Sequence, residues 1–198
     1  MRALAISLAL LTPSTFAQQV LVVDDDPGGD FTQIQAAVDA AGPLDVIEVA
    51  PGVYPGFDVV GKSVRIRGSQ AGPSTLTSGV RISDLPASAQ VVLEGLTLRP
   101  APAATTNAIA IDNCAGAVWL EGLVVEPVLN LITEASVGVQ QSSAVFLVET
   151  TLLEGIFILS PEVGPLALSA VDSTVYLYDS VLEGGGASLG EDGVDLHV

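Results

Sequence analysis

Five valines set the frame of this chain. Lys62-Ser63-Val64-Arg65-Ile66-Arg67-Gly68 aligns with Ala89-Gln90-Val91-Val92-Leu93-Glu94-Gly95, and then with Ala117-Val118-Trp119-Leu120-Glu121-Gly122. Ala144-Val145-Phe146-Leu147-Val148-Glu149 and Thr174-Val175-Tyr176-Leu177-Tyr178-Asp179 continue the series. The anchors Val64, Val91, Val118, Val145 and Val175 are spaced 27, 27, 27 and 30 residues apart. A second block follows each anchor, from Gly95-Leu96-Thr97-Leu98 to Asp179-Ser180-Val181-Leu182. A third precedes it: Gly79-Val80-Arg81-Ile82, Ala108-Ile109-Ala110-Ile111, Val137-Gly138-Val139 and Leu166-Ala167-Leu168. Three short strands per repeat, separated by turn residues, describe one coil of a parallel solenoid. One such coil cannot bury its apolar face alone, so neighbouring coils must stack.

Composition agrees with one packed domain. The chain has 198 residues, of which 49% are hydrophobic and 15% charged, enough apolar content for a core and too much for a disordered chain. The balance of 23 acidic against 6 basic residues gives a net charge of −17. A nucleic-acid binder needs cations to neutralise phosphates, and an anionic membrane surface makes the same demand, so both partners are excluded. One His and one Cys rule out a His-rich metal centre and an internal disulfide framework. Cys114 is expected to pack as a small buried hydrophobe.

The N-terminus reads as a secretory signal over residues 1–17. Arg2 supplies a positive start, Leu4 to Leu11 is an apolar run, and Thr15-Phe16-Ala17 offers a small-x-small cleavage site. The run is too short to span a bilayer as an anchor. The expected domain is then residues 18–198, exported to an extracellular, periplasmic or surface location.

Val20-Leu21-Val22-Val23 reads as a strand entering the acidic turn Asp24-Asp25-Asp26-Pro27-Gly28-Gly29. Asp30 is expected to cap a helix over about residues 30–41, with Gln33 as capping-box partner and Gly42-Pro43 as the stop. Phe31, Ile34, Ala37, Val38 and Ala41 share one face of it. The coils occupy about residues 44–198.

Gly29-Asp30-Phe31-Thr32-Gln33-Ile34-Gln35-Ala36-Ala37-Val38-Asp39-Ala40-Ala41 is followed by Asp45-Val46-Ile47-Glu48-Val49-Ala50-Pro51-Gly52-Val53-Tyr54 and Gly61-Lys62-Ser63-Val64-Arg65-Ile66-Arg67-Gly68. Together these resemble the opening segment of right-handed parallel β-helix proteins, the pectin-lyase-like superfamily, and most nearly pectin methylesterases and their bacterial relatives. The resemblance covers residues 29–68. It implies an all-β, right-handed single-stranded parallel β-helix of about five coils, capped at its N-terminal end by one short helix.

The resemblance does not bring a catalytic set with it. Pectin methylesterases use paired Asp residues, Gln residues and a late Arg. Pectate lyases use Asp-bound calcium with an Arg or Lys base. Polygalacturonases use clustered Asp residues, a Gly-His-Gly motif and an Arg-Ile-Lys motif. This chain has no Lys or Arg after Arg99, and its only His is His197. No late cation is present to act as base or to hold a uronate carboxylate. The weak acid/base candidates are Glu94 and Glu121, which the repeat stacks in adjacent coils, where closeness would raise one pKa. The bland alternative is a solvated face carrying an Arg67–Glu94 ion pair.

Two other features point to ligands. Asp24, Asp26 and Asp30 offer hard oxygens at alternate positions of the kind calcium takes, a weak candidate site in a chain otherwise expected to need no cofactor. Gln35 stands where an EF-hand would need its closing Glu, and the alternative is a turn with a helix cap. The outward residues between the anchors are Arg65, Val92, Trp119, Phe146 and Tyr176, with Tyr178 beside the last. Trp119, Phe146, Tyr176 and Tyr178 are the candidate binding residues, as an aromatic column beside carboxylates suits a sugar. Side-chain stacking that only stabilises the solenoid, or cover by a loop or second subunit, is the competing use.

Asp192-Gly193-Val194-Asp195-Leu196-His197-Val198 begins a further coil with no cap after it. That predicts either self-association through this coil or a shortened version of a longer β-helix. The functional expectation is a secreted non-catalytic module that binds polysaccharide or a surface glycan, or serves as a structural protein. The alternative is a carbohydrate-active enzyme (lyase, esterase or glycoside hydrolase) with an incomplete catalytic set.

Overall fold

The computed structural model describes residues 18–100, 107–126, 136–153, 167–183, 187–189 and 195–197. The signal-like segment 1–17 lies outside them.

Three parallel sheets form a β-solenoid of about five turns. The first contains β1 (Val20–Val23), β2 (Val46–Val49), β5 (Val64–Gly68), β8 (Gln90–Glu94), β11 (Ala117–Glu121), β14 (Ala144–Val148), β17 (Thr174–Tyr178) and β20 (Asp195–His197), in that order. The second stacks β3 (Gly52–Tyr54), β6 (Ser74–Leu76), β9 (Thr97–Leu98), β12 (Val124–Val125), β15 (Thr151–Leu153) and β18 (Val181–Glu183). The third stacks β4 (Asp58–Val60), β7 (Val80–Ser83), β10 (Ile109–Asp112), β13 (Val137–Gln140), β16 (Leu168–Val171) and β19 (Ala187–Leu189). Each coil visits the three sheets in turn.

The anchor valines fall into one ladder, Val64 on Val91 on Val118 on Val145 on Val175. Alternation does the rest. In β5, Val64 and Ile66 are buried while Arg65 and Arg67 face out, and in β11 Val118 and Leu120 are buried beneath Trp119. The core is therefore a set of parallel aliphatic columns. One expected block is displaced. β16 begins at Leu168, which pairs with Val137, where the repeat had aligned Leu166. A two-residue slip keeps every side chain on the same face, so the hydrophobic pattern does not register it.

Two corners turn on left-handed residues. Gly95, Gly122, Glu149 and Asp179 stack between the first and second sheets, with φ of 62°, 58°, 48° and 47°. Gly61, Asp84, Asn113, Gln141 and Asp172 stack after the third sheet, with φ of 63°, 55°, 53°, 47° and 49°. Gly, Asn and Asp are the residues that tolerate this region best. The buried residue after each corner changes along the axis. Leu96 and Leu123 give way to Thr150, whose hydroxyl donates to the Leu120 and Val148 carbonyls. Leu85 and Cys114 give way to Ser142 and Ser173, bonded to the carbonyls two residues before them.

Side chains close the N-terminal edge of all three sheets. Asp30 accepts from the Val22 N–H of β1 (2.9 Å), and Asp25 accepts from the Val53 N–H of β3 (3.2 Å). The Gln35 amide does both jobs for β4, accepting from Asp58 N (2.7 Å) and donating to Asp58 O (3.2 Å). Open strand edges invite pairing with other chains, and these groups occupy them. The use of Asp30 on β1 corrects the expected cap. The helix α1 is Ile34–Ala40, Gln33 is its N-cap residue, and no side chain caps it. Ile34, Ala37 and Val38 of α1 are buried over the end of the core, and the Lys62 ammonium donates to the Val38 carbonyl.

Candidate functional site

The outer face of the first sheet carries two columns of side chains. The first is Val20, Val46, Arg65, Val92, Trp119, Phe146 and Tyr176, one above another. The rings of Trp119 and Phe146 lie 4.0 Å apart at 9°, and those of Phe146 and Tyr176 lie 4.7 Å apart at 10°. A parallel strand spacing of about 4.8 Å suits ring stacking, so the ladder forms without distorting the sheet. The three rings are half-buried. Both faces of Phe146 are covered by its neighbours, so the ladder presents ring edges along its length and ring faces at its ends. Tyr178 stands in the next column, exposed and outside the stack. His197 holds the register position below Tyr176.

The second column is Val22, Glu48, Arg67, Glu94, Glu121, Val148 and Tyr178. Glu94 and Glu121 stand in adjacent coils as the repeat predicted. The expected Arg67–Glu94 pair does not form: Arg67 pairs with Glu48. Glu94 is taken instead by Arg65 of the first column (3.5 Å), which also reaches Glu121 (3.9 Å). The reason is geometric. Diagonal neighbours on a sheet lie within reach of a long side chain. Arg65 satisfies two carboxylates from beside them, which leaves Arg67 to the acid on its other side.

Where the charged residues of this face give way to the rings, between Arg65 and Trp119, there is an open groove of about 490 Å³. Val92 lies in it, pointing outward yet only 7% exposed between the taller Arg65 and Trp119. Glu121, Gln90, Ser63 and Gln18 add polar groups to the lining. Asp45, Ser88 and Arg65 join them, so the lining is mixed, apolar at Val46, Val92 and Trp119 and polar around these. The sequence pointed to the rings and to the acids. It did not point to the groove, to Gln90 or to the double role of Arg65, although the diagonal offset from Arg65 to Glu94 was available in the repeat register.

The acidic turn assembles differently from expectation. Asp24, Asp25 and Asp26 bring carboxylate oxygens within 4.8 Å of one another, while Asp30 is engaged on β1. Asp24 accepts from Asp26 N (3.0 Å) and Asp25 from Val53 N, so two of the three already hold backbone donors. Nearby Tyr54 is buried, which pushes its hydroxyl pKa up. The Asp25, Asp24 and Asp26 charges push the same way, against a hydrogen bond involving Asp25. Cys114 is buried as expected, and burial raises its thiol pKa. Away from this face, Arg99 holds Glu126 through two hydrogen bonds of 2.5 and 2.6 Å, which lower the carboxyl pKa.

No family model, curated protein or solved structure matches the chain.

Proposed function

We propose that this chain is a secreted, non-catalytic β-helix module of pectin-lyase-like type that binds polysaccharide on the outer face of its first sheet. One observation carries the reading: the stacked ladder of Trp119, Phe146 and Tyr176 runs into the groove lined by Val92, Arg65, Gln90 and Glu121. Aromatic surface next to planar hydrogen-bonding groups is what a sugar ring requires, with apolar contact from one and hydroxyl partners from the other. The apolar run Leu4 to Leu11 supports export. The absence of Lys and Arg beyond Arg99 supports binding without turnover.

The test is affinity electrophoresis of residues 18–198 against neutral and acidic polysaccharides, with calcium and with chelator. Retardation without depolymerisation, abolished by Trp119→Ala, is expected. Depolymerisation lost in Glu94→Gln or Glu121→Gln would establish an enzyme in place of a binding module. Retardation that chelator removes while Trp119→Ala leaves it intact would move the site to the Asp24–Asp26 turn.

A further inference from the structure

The charge of the groove selects its ligand. Both arginines of the face are already committed, Arg65 to Glu94 and Glu121 and Arg67 to Glu48. Over the face as a whole three carboxylates thus stand against two guanidinium groups, the groove lining itself sets Asp45 and Glu121 against Arg65, and the coils that carry Trp119, Phe146 and Tyr176 contain no cation. The whole chain carries −17. A polyanion approaching this face meets net repulsion and no unpaired cation to receive it. A cationic ligand meets the opposite. Glu121 is two residues from Trp119 on the same strand face, so a carboxylate and an aromatic ring border the same groove. That pair favours an ammonium group, through charge pairing with one and cation–π attraction to the other.

We propose that the groove is a subsite for an amine-bearing glycan, a glucosamine-type polymer in which the protonated amine pairs with Glu121 in the groove, with Glu94 beside it in the adjacent coil, while the sugar ring lies over Val92 against Trp119. This rests on the reading of the face as glycan-binding. Arg65 acts as an internal counter-ion that occupies the two carboxylates until the ligand amine displaces it.

Trp119 is the only tryptophan in the chain, so its fluorescence reports on the groove directly. The experiment titrates residues 18–198 with a glucosamine hexamer, its fully N-acetylated counterpart and a galacturonate hexamer. The pH is held below the amine pKa and above the carboxylate range. The glucosamine hexamer is expected to shift Trp119 emission, with binding that weakens as salt is added. Glu121→Gln and Glu94→Gln each weaken it by about two- to fivefold, the scale of an exposed ion pair. Arg65→Gln tightens it by a similar factor, a direction that loss of a merely structural ion pair does not produce. Melting curves and the ligand-free emission maximum of each variant show that the groove is intact. Equal binding of the N-acetylated hexamer, or weaker binding by Arg65→Gln, overturns amine selection while leaving glycan binding in place. Preference for the galacturonate hexamer does the same. If no hexamer moves Trp119 emission and the polysaccharide panel is also negative, the binding module itself is refuted.

Discussion

The first sheet has two outer faces in one. Over residues 46–94 it is an ion-paired surface of Glu48, Arg65, Arg67 and Glu94, and over residues 117–178 it is a stack of rings. The backbone beneath them is the same ladder at the same spacing. The halves differ in where each side chain finds its partner. Rings find it directly above and below, because strand spacing matches stacking distance. Charges find it along the column or across the diagonal, because Arg is long enough to reach over, and Arg65 serves two acids this way. Corners change near the same point, from buried Leu96 and Leu123 to hydrogen-bonded Thr150. A solenoid thus tolerates different chemistry coil by coil, provided each coil satisfies its neighbour.

Substitutions can test whether the shared core really is indifferent to this change. Ile66→Ala under the charged half and Leu120→Ala under the rings remove fully buried side chains. Each is expected to cost about 2–5 kcal/mol in urea unfolding. A loss confined to one variant would mean that the two halves do not share one core. Thr150→Val keeps the shape of a corner residue and deletes its hydrogen bonds to Leu120 and Val148. A cost of about 1–3 kcal/mol is expected, and a neutral result would make the hydroxyl corner equivalent to the leucine one.

Smaller effects separate the surfaces themselves. Phe146→Leu keeps apolar bulk and breaks the ladder at its centre. It is expected to cost about 0.5–1.5 kcal/mol, to change Trp119 emission, and to do so equally at low and high salt. Arg65→Gln is expected to cost less than about 1 kcal/mol, discounted for the half-exposed side chains, and the loss should vanish at high salt. Salt-insensitive loss there would contradict the electrostatic account of the ion-paired half. The smallest effect concerns Glu126. Its pKa is lowered in the fold by Arg99, so the stabilisation is present above the ordinary carboxylate pKa and fades as pH falls through the lowered value. Arg99→Gln should narrow the gap between melting temperatures at neutral and acid pH, and an unchanged acid profile would show the pair to be thermodynamically silent.

Much of this architecture is legible in the sequence because a solenoid is a one-dimensional object. The spacing of Val64, Val91, Val118, Val145 and Val175 fixes which residues stack, and alternation fixes which face out. From these two rules Trp119, Phe146 and Tyr176 form a column, and Glu94 stands on Glu121. The rules stop where a contact leaves the column or where a local motif competes with a distant partner. Asp30 looked like a helix cap by its neighbours, yet its carboxylate binds Val22 on the edge strand. The block Leu166-Ala167-Leu168 aligned by pattern with Val137-Gly138-Val139, but a slip of two preserves the pattern, and only pairing puts Leu168 on Val137, Leu166 lying outside the described residues.

Sequence alone determined the parallel coil, its inward columns, the aromatic ladder and the excess of negative charge, since each depends on periodicity or composition. Tertiary structure alone decided that Arg65 rather than Arg67 neutralises Glu94, that Val92 lies in a groove, and that Asp25, Asp30 and Gln35 close the edges of three sheets. The physical reason is reach. A hydrophobic column is specified by register, whereas an ion pair or an edge cap is won by whichever group the folded chain brings close enough to make it.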